Sequence, residues 1–188
     1  MSALGTADDV GQLRVRRAAA GDREPLTRMF GRCSGRTRYE RFHGYVNMFP
    51  QRYLTEALSG SPIHYALVAL APPAATAAGP AADGDDGDDG HDVIVALASC
   101  RAIAEGVAEL GLLVEDRWQQ HGVGGRLLRE LIGHADRIGM RVLKAQIQSE
   151  QSWIINVLRS YGTCRTARVP YDILDVTLRL PHASPPPP

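Results

Sequence analysis

A glycine-rich turn is the segment whose residue types and spacing most clearly indicate chemistry. It has the sequence Gln-Gln-His-Gly-Val-Gly-Gly over residues 119–125, between a short apolar run at 110–114 and a helical stripe of apolar residues at 127–138. A glycine turn that opens a helix directs several unpaired backbone N–H groups toward one point, and the helix dipole adds positive potential there. The turn therefore predicts a phosphate-binding site at the start of a helix.

The spacing of this turn, Gln-x-x-Gly-x-Gly, differs from two common phosphate motifs. The dinucleotide-binding pattern is Gly-x-Gly-x-x-Gly, and a P-loop would need Lys and then Ser or Thr after its last glycine. Glycine turns before helices also serve packing alone. By itself, the turn leaves both interpretations open.

Length and charge restrict the class of ligand. A chain of 188 residues suits one domain with a substantial core. The 21 basic and 21 acidic residues cancel, but six aspartates fall between residues 83 and 92, so the rest of the chain carries about +6. A mildly basic body suits an anionic ligand such as a nucleotide-bearing cofactor, and it is too weak to indicate nucleic acid.

Cysteine usage and hydropathy indicate a reducing, aqueous environment. Cys33, Cys100 and Cys164 lie far apart, which predicts reduced thiols and no metal site. No signal peptide is evident at the N-terminus, and no apolar run approaches the roughly 18 residues that span a membrane. We therefore expect a cytoplasmic protein without a membrane partner.

Apolar alternation and helical periodicity predict an α/β (α+β) domain over residues 13–180. The predicted strands cover residues 13–18, 63–70, 93–103, 107–114, 142–148, 164–169 and 172–180. Asp22 and Ser149 are the expected N-caps of the first and last predicted helices, which with the others cover residues 22–32, 36–45, 51–58, 122–139 and 149–162. The strand–helix–strand unit around the glycine turn should cross over right-handed.

Three segments are expected to lie outside the folded core. Residues 1–12 should form a flexible N-terminus, and residues 181–188 a Pro-rich tail. Residues 71–92 are rich in Ala, Gly, Pro and Asp, a composition that predicts a disordered acidic insertion. A calcium loop is the alternative, but the Asp spacing does not match an EF-hand.

The order of these elements, together with Gln119-x-x-Gly122-x-Gly124, resembles the GCN5-related N-acetyltransferase (GNAT) family. The resemblance extends over residues 13–180 and is strongest over residues 107–147. The segment SGRTRYERFHG at residues 34–44 is similar to the region after the first helix of bacterial protein-lysine acetyltransferases. The resemblance implies one domain with a mixed, mostly antiparallel twisted sheet of about six to seven strands, flanked by about four helices.

The resemblance also implies a co-substrate, acetyl-CoA. Backbone N–H groups of residues 120–125 would hold its pyrophosphate, with Arg126 adding charge. The edge of the preceding strand would pair with the pantetheine arm, and one amide there would polarise the thioester carbonyl. The expected acetyl-CoA contacts are Leu112, Leu113, Val114, Gln119, Gln120, His121, Gly122, Val123, Gly124, Gly125, Arg126 and Gln151.

Two segments, the glycine turn and the late helix, depart from the family pattern. Before the first motif glycine the family usually has Arg-Gly-Lys or Gln-Gly-Arg, where this chain has Gln119-Gln120-His121. Many members place a Tyr in the late helix as general acid for the departing thiolate, where this chain has Leu158; the Asn at the start of that helix is Gln151. These departures put turnover in doubt more than cofactor binding.

Glu109 is the candidate general base. Strand alternation places it on one face with Val107, Gly111 and Leu113, and many protein acetyltransferases of the family have a Glu there that acts through a water. The alternative is a structural Glu paired with an Arg. Tyr161 is the candidate replacement for the missing acid, since it lies one helical turn after Leu158; packing against the closing hairpin is its alternative.

The acceptor side is expected on the first helices and the closing hairpin. Arg28, Arg32 and Arg36 would share one helical face if the helix continued, and would attract an acidic acceptor or a nucleotide phosphate; a solvated face is the alternative. The leading function is acetyl transfer to a primary amine such as a protein lysine. A small-molecule amine (polyamine, amino acid or antibiotic) and a non-catalytic acyl-CoA-binding regulatory role are the alternatives. We expect a monomer or a homodimer.

Overall fold

The computed structural model describes residues 13–72 and 92–181. Within these ranges the chain forms seven strands and five α-helices. In chain order they are β1 (Arg14–Arg17), α1 (Arg23–Arg32), α2 (Gly35–Phe42), α3 (Gln51–Leu58), β2 (His64–Ala71), β3 (Val93–Ala104), β4 (Val107–Val114), α4 (Val123–Arg137), β5 (Val142–Gln148), α5 (Trp153–Arg159), β6 (Thr163–Val169) and β7 (Ile173–Arg179). The predictions for the N-terminus, the acidic insertion and the Pro-rich tail fall almost wholly outside the described residues.

One mixed sheet organises the described part of the chain, with the strand order β1-β2-β3-β4-β5-β7-β6. Every neighbouring pair is antiparallel except β4 and β5, which are joined by the α4 crossover and are parallel. A parallel pair needs such a crossover, which is why the strand–helix–strand pattern was diagnostic. The expected α/β fold with a mostly antiparallel sheet is confirmed.

The two faces of the sheet carry separate apolar cores. On one face, helices α1–α3 bury Leu26, Phe30 and Leu54 against strand residues of β2 and β3. On the other face, α4 and α5 bury a stripe that includes Leu127 and Leu158. Each fully buried side chain of this size stabilises the fold by about 1.5–3 kcal/mol. The apolar stripes of the helices therefore hold one helical layer on each face of the sheet.

The two predicted N-caps act through other partners. The Asp22 carboxylate accepts two hydrogen bonds of 2.7 Å from Arg16 and one of 2.8 Å from the Ala19 N–H, and it makes no side-chain cap to α1. Ser149 donates its hydroxyl to Asp172, and α5 begins only at Trp153, after a 3-10 turn, and ends at Arg159. Both predictions of a side-chain cap were wrong because a tertiary partner competes with the local backbone.

The predicted arginine face is also wrong, because the first helix does not continue. Helix α1 ends at Arg32, Cys33 is extended, and the Ser34 side chain caps a new helix, α2, by accepting from the Thr37 N–H. Arg28 pairs with Glu24 on its own helix, whereas Arg32 reaches buried Glu115 at 2.9 Å.

The three cysteines lie apart from one another in the described part of the chain. Cys33 and Cys100 are buried and free, and Cys164 is half-buried and free. Across residues 13–72 and 92–181, no group of His, Cys, Asp and Glu side chains has a metal-binding arrangement. No helix among these residues is long and apolar enough to cross a membrane.

Candidate active site

A cleft opens through the sheet where β4 and β5 diverge. The parallel pairing covers only Val107 with Val142, Ala108 with Leu143 and Glu109 with Lys144. Beyond these pairs the strands separate and leave a cavity of about 310 Å³. Residues 110–114 of β4 and 145–148 of β5 form its two sides. Helices α4 and α5 line one face with Leu128, Ile154 and Leu158, and α2 lines the other with Arg36, Thr37, Glu40 and Arg41. The mouth is formed by Gln119, Gln120, Glu150, Gln151 and Trp153.

The β4 side of the cleft is a sheet edge inside the molecule. Residues 110–114 pair with β3 on one side, from Cys100–Leu110 to Ala96–Val114. On the β5 side the register stops at Glu109, so in the described chain the backbone groups of residues 110–114 that face the cleft have no strand partner. Such an edge binds an extended amide-containing chain by adding it as a strand. Leu112, Leu113 and Val114 lie where the sequence placed them.

The glycine turn presents free amides beside this edge. Gln120 and Gly122 have left-handed backbone conformations, with φ of +62° and +83°. The first helical bond runs from the Arg126 N–H to the Gly122 carbonyl at 3.0 Å. Among the described residues, the N–H groups of residues 120–125 have no hydrogen-bond acceptor. They therefore form a candidate anion site at the N-terminus of the 15-residue helix α4.

Gln119 fixes the start of this turn. Its side-chain amide donates to the Val114 carbonyl and to the Thr37 hydroxyl, both at 3.0 Å. The His121 ring packs back on the same residue, with Nδ1 2.6 Å from the Gln119 carbonyl oxygen. The turn is therefore attached both to the end of β4 and to helix α2, which holds its amides at the mouth of the cleft.

Gly124 marks the tightest point of the turn. A Cβ atom at this position would lie 3.0 Å from Leu112 Cδ2 and 3.0 Å from Trp153 Cη2. The first turn of α4 thus packs directly against a β4 side chain and the start of α5. A larger residue at position 124 would require Leu112, Trp153 or the helix start to shift.

Arg126 points away from the amides it was expected to assist. Its guanidinium donates to the Leu13 carbonyl at 2.8 Å, and its Nε lies 3.7 Å from Glu130. The side chain therefore ties α4 to the residue before β1. Positive potential at the turn comes from the backbone and not from this side chain.

Gln151 belongs to a chain of polar contacts across the cleft mouth. Its amide nitrogen donates to Glu40 at 2.9 Å, and its amide oxygen accepts from the Trp153 indole N–H at 2.8 Å. Arg36 pairs with Glu40 at 2.7 Å and with Glu150. These contacts join α2 to the start of α5, so the two walls of the mouth are connected by side chains.

Glu109 lies at the point where β4 and β5 part. It is the last residue of the parallel register, and the next residue, Leu110, is the first to line the cleft. Its carboxylate accepts from Arg101 at 2.7 Å, and both side chains are roughly half exposed. Glu109 itself is outside the cleft lining, so any proton that it accepts from the cleft must come through a water.

Tyr161 is not brought into the cleft. It packs against the core on the α4–α5 face, whereas Leu158, at the position of the missing acid, is buried and lines the cavity. The structure therefore places an apolar side chain, and not a proton donor, on this wall.

Three residues that attach helix α2 to the segment before the turn, Ser34, Thr37 and Asp116, were not anticipated from the sequence. The Asp116 carboxylate accepts from the Ser34 N–H at 2.7 Å, from the Ser34 hydroxyl at 2.6 Å and from the Thr37 hydroxyl at 2.8 Å. Burial acts to raise the pKa of Asp116, but the hydrogen bonds from Ser34 and Thr37 outweigh it and hold the pKa below its usual value. No local motif connects residues so far apart in the chain.

Asp116→Asn should lower the melting temperature at pH 7 by about 2–4 °C, equivalent to about 1 kcal/mol in a chain of this size. Because the pKa of Asp116 is lower in the folded state, the charged form stabilises the fold above the unfolded value of about 4, and this contribution disappears as the pH falls through the folded value. The difference between variant and wild type should therefore shrink as the pH falls below the unfolded value of about 4.

Thermal unfolding followed by circular dichroism at several pH values measures this effect. Asp136→Asn is the matched control, since Asp136 is 59% exposed and 3.7 Å from Arg141. It should change the melting temperature little at any pH. A constant difference for Asp116→Asn across the range would contradict the assignment.

A model of the acetyltransferase (GNAT) family matches residues 38–162, about two-thirds of the chain. No curated protein matches. The GNAT domain of S. lividans PAT aligns with a TM-score of 0.67 at 19% identity, covering 89% of this chain and 90% of that one. A GCN5-related N-acetyltransferase from Kribbella flavida aligns at 0.63 and 18%, covering 92% and 99%. Salmonella typhimurium yncA, solved with its cofactor acetyl-CoA, aligns at 0.61 and 19%, covering 92% and 97%. At these identities the likeness shows a shared fold.

Proposed function

The chain belongs to the GNAT family of acetyltransferases, and from this premise we propose that it moves an acetyl group from acetyl-CoA to a primary amine that enters from the α2 face of the cleft. Acetyl-CoA is the co-substrate of this family. The observation that carries the proposal is the unpaired edge of β4 directly beside the free amides of residues 120–125. The strand edge suits an extended arm that carries amide groups, and the free amides suit a pyrophosphate. The two lie next to each other, as one ligand with both groups requires.

Different residues of the cleft would bind the diphosphate and the pantetheine arm of acetyl-CoA. When bound, acetyl-CoA supplies an activated acyl thioester. Backbone amides of residues 120–125 bind its diphosphate, and residues 112–114 hold the pantetheine arm, with one amide polarising the carbonyl. Gln151, which bridges Glu40 and Trp153, borders the arm at the mouth. Arg126 is left out of this scheme because its guanidinium binds Leu13.

Glu109 is the proposed general base. It would accept the proton of the acceptor ammonium through a water at the end of the β4–β5 register. Arg101 holds the carboxylate at 2.7 Å. Because Leu158 has no proton to give and Tyr161 is outside the cleft, we assign no residue as general acid.

A protein lysine is one acceptor class, supported by the sequence likeness of residues 34–44. A small-molecule amine is the other. A non-catalytic acyl-CoA-binding regulatory role is favoured by one observation, the buried Leu158 on the cleft wall. The cytoplasmic location, the domain boundaries and the monomeric or dimeric state stay predictions.

Calorimetry with acetyl-CoA, followed by thiol release against panels of peptides, polyamines and amino acids, tests the proposal. We expect micromolar binding and turnover with at least one amine. Binding without turnover on any acceptor would support the regulatory role. Failure to bind any acyl-CoA would show that the cleft does not have the assigned ligand.

A further inference from the structure

Arg41 is the cation of the α2 wall that stands over the backbone of β4. A Cβ atom on Gly111 would collide with its guanidinium, whose Cζ would be 2.7 Å away. The absence of a side chain at position 111 is therefore what admits the guanidinium to the strand. Both residues line the cleft, on the face from which an acceptor would enter.

Aromatic rings hold this guanidinium in place. Its Cζ lies 4.9 Å from the ring centroid of Phe42 and 4.9 Å from that of Tyr53. Tyr53 is itself fixed by a 2.9 Å hydrogen bond from its hydroxyl to Ser99 Oγ. Cation–π contacts on two rings restrict the rotamers of a long side chain before any ligand arrives.

Among the described residues, the hydrogen-bond donors of Arg41 have no partner. Arg36 pairs with Glu40, and Arg38 donates to the carbonyl groups of Gly31 and Cys33. Over residues 13–72 and 92–181, no acceptor is hydrogen-bonded or ion-paired to Arg41. A half-buried guanidinium with planar, unfilled donors favours an anion from outside, and carboxylate matches its geometry in two parallel hydrogen bonds.

We propose that Arg41 binds a carboxylate of the acceptor, and that the acceptor is a small amino acid whose amine and carboxylate are close together. The inference rests on the proposed acetyl transfer and specifies its substrate class. Arg41 lies over the same strand whose amide would polarise the thioester, so the two acceptor groups must fit a short span. A polyamine has no carboxylate, and the carboxyl group of an internal protein lysine is part of a peptide bond.

Paired acceptors test this inference with the full chain and acetyl-CoA. Each pair consists of an amino acid and the amine in which hydrogen replaces the carboxylate. For the wild type we expect kcat/KM about 30-fold higher for the amino acid, the range expected of a hydrogen-bonded charge pair. Arg41→Gln should remove this preference by lowering kcat/KM for the amino acids alone. Arg41→Lys should keep part of it, since the charge remains without the planar fork.

Two controls separate specificity from damage. Calorimetry should give the same acetyl-CoA affinity for both Arg41 variants, and circular dichroism should show a folded protein whose melting temperature falls by no more than the few degrees expected for two lost cation–π contacts. Arg52→Gln, which removes a 92% exposed arginine on α3, should leave the preference intact.

The possible outcomes test carboxylate binding by Arg41 separately from acetyl transfer itself. Turnover of amines or peptide lysines with no carboxylate preference, or an equal loss on both members of each pair in Arg41→Gln, overturns the carboxylate assignment and leaves acetyl transfer standing. Acetyl-CoA binding without turnover of any pair overturns the assignment and favours the regulatory role. Failure to bind acetyl-CoA overturns both.

Discussion

Glu109→Gln should lower kcat by about 100-fold, at the lower end of what a positioned general base contributes. The carboxylate lies at the end of the β4–β5 register, one residue before the cleft wall. Gln has the same shape and can still accept the 2.7 Å hydrogen bond from Arg101, so it removes the base without removing the contact. Steady-state thiol release at saturating acetyl-CoA measures the change.

Affinity and stability should separate this loss from misfolding. The acetyl-CoA dissociation constant should be nearly unchanged, because Glu109 is outside the cleft lining. The Arg101–Glu109 pair is half exposed, and such pairs contribute less than about 1 kcal/mol to stability. Glu105→Gln, in the exposed turn between β3 and β4, is the matched control. A Glu109→Gln enzyme with the wild-type rate would show that Glu109 only pairs with Arg101.

Gly124→Val should weaken acetyl-CoA binding by at least about 100-fold, equivalent to the 2–3 kcal/mol of a severe overpacking. A single Cβ atom would already lie 3.0 Å from both Leu112 Cδ2 and Trp153 Cη2. The additional methyl groups must therefore move the two side chains or the helix start, and movement of the helix start displaces the amides of the turn. Calorimetry with acetyl-CoA measures the affinity.

Gly133→Ala controls for the loss of a glycine in the same helix. A Cβ atom there meets Arg137 Nη1 at 3.5 Å, an ordinary contact, and alanine favours a helix interior. This variant should bind acetyl-CoA as the wild type does and unfold at the same or a slightly higher temperature. If Gly124→Val kept the wild-type affinity while remaining folded, the anion site would have to lie elsewhere.

Much of the fold could be predicted because it depends on short-range patterns. The apolar stripe of α4 is buried from Leu127 to Ala135, and only its last member, Ile138, is exposed at the helix end; the alternation of β5 also matches its burial. The strand–glycine turn–helix pattern predicted the parallel β4–β5 pair and the helix that begins at the glycine turn between them. These features follow from backbone geometry within a few residues, so no distant contact has to be known.

Side-chain partners were the part that the sequence could not supply. Arg126 was expected at the phosphates, yet it binds the carbonyl of Leu13, 113 residues earlier in the chain. Asp22 and Ser149 were expected to cap helices, yet they bind Arg16 and Asp172. A polar side chain takes the best acceptor or donor within reach, and what is within reach depends on how the elements pack.

The sequence by itself determined the class of site: a glycine turn at a helix start, beside an apolar strand, in an acetyltransferase of the GNAT family. Tertiary structure alone decided where β4 and β5 part, that Tyr161 stays out of the cleft, and that Arg41 occupies the space over Gly111. The physical reason is the distance along the chain over which the interactions act. Backbone conformation is largely encoded locally, whereas the depth of a cleft and the partners of its charges depend on contacts between elements that are distant in the chain.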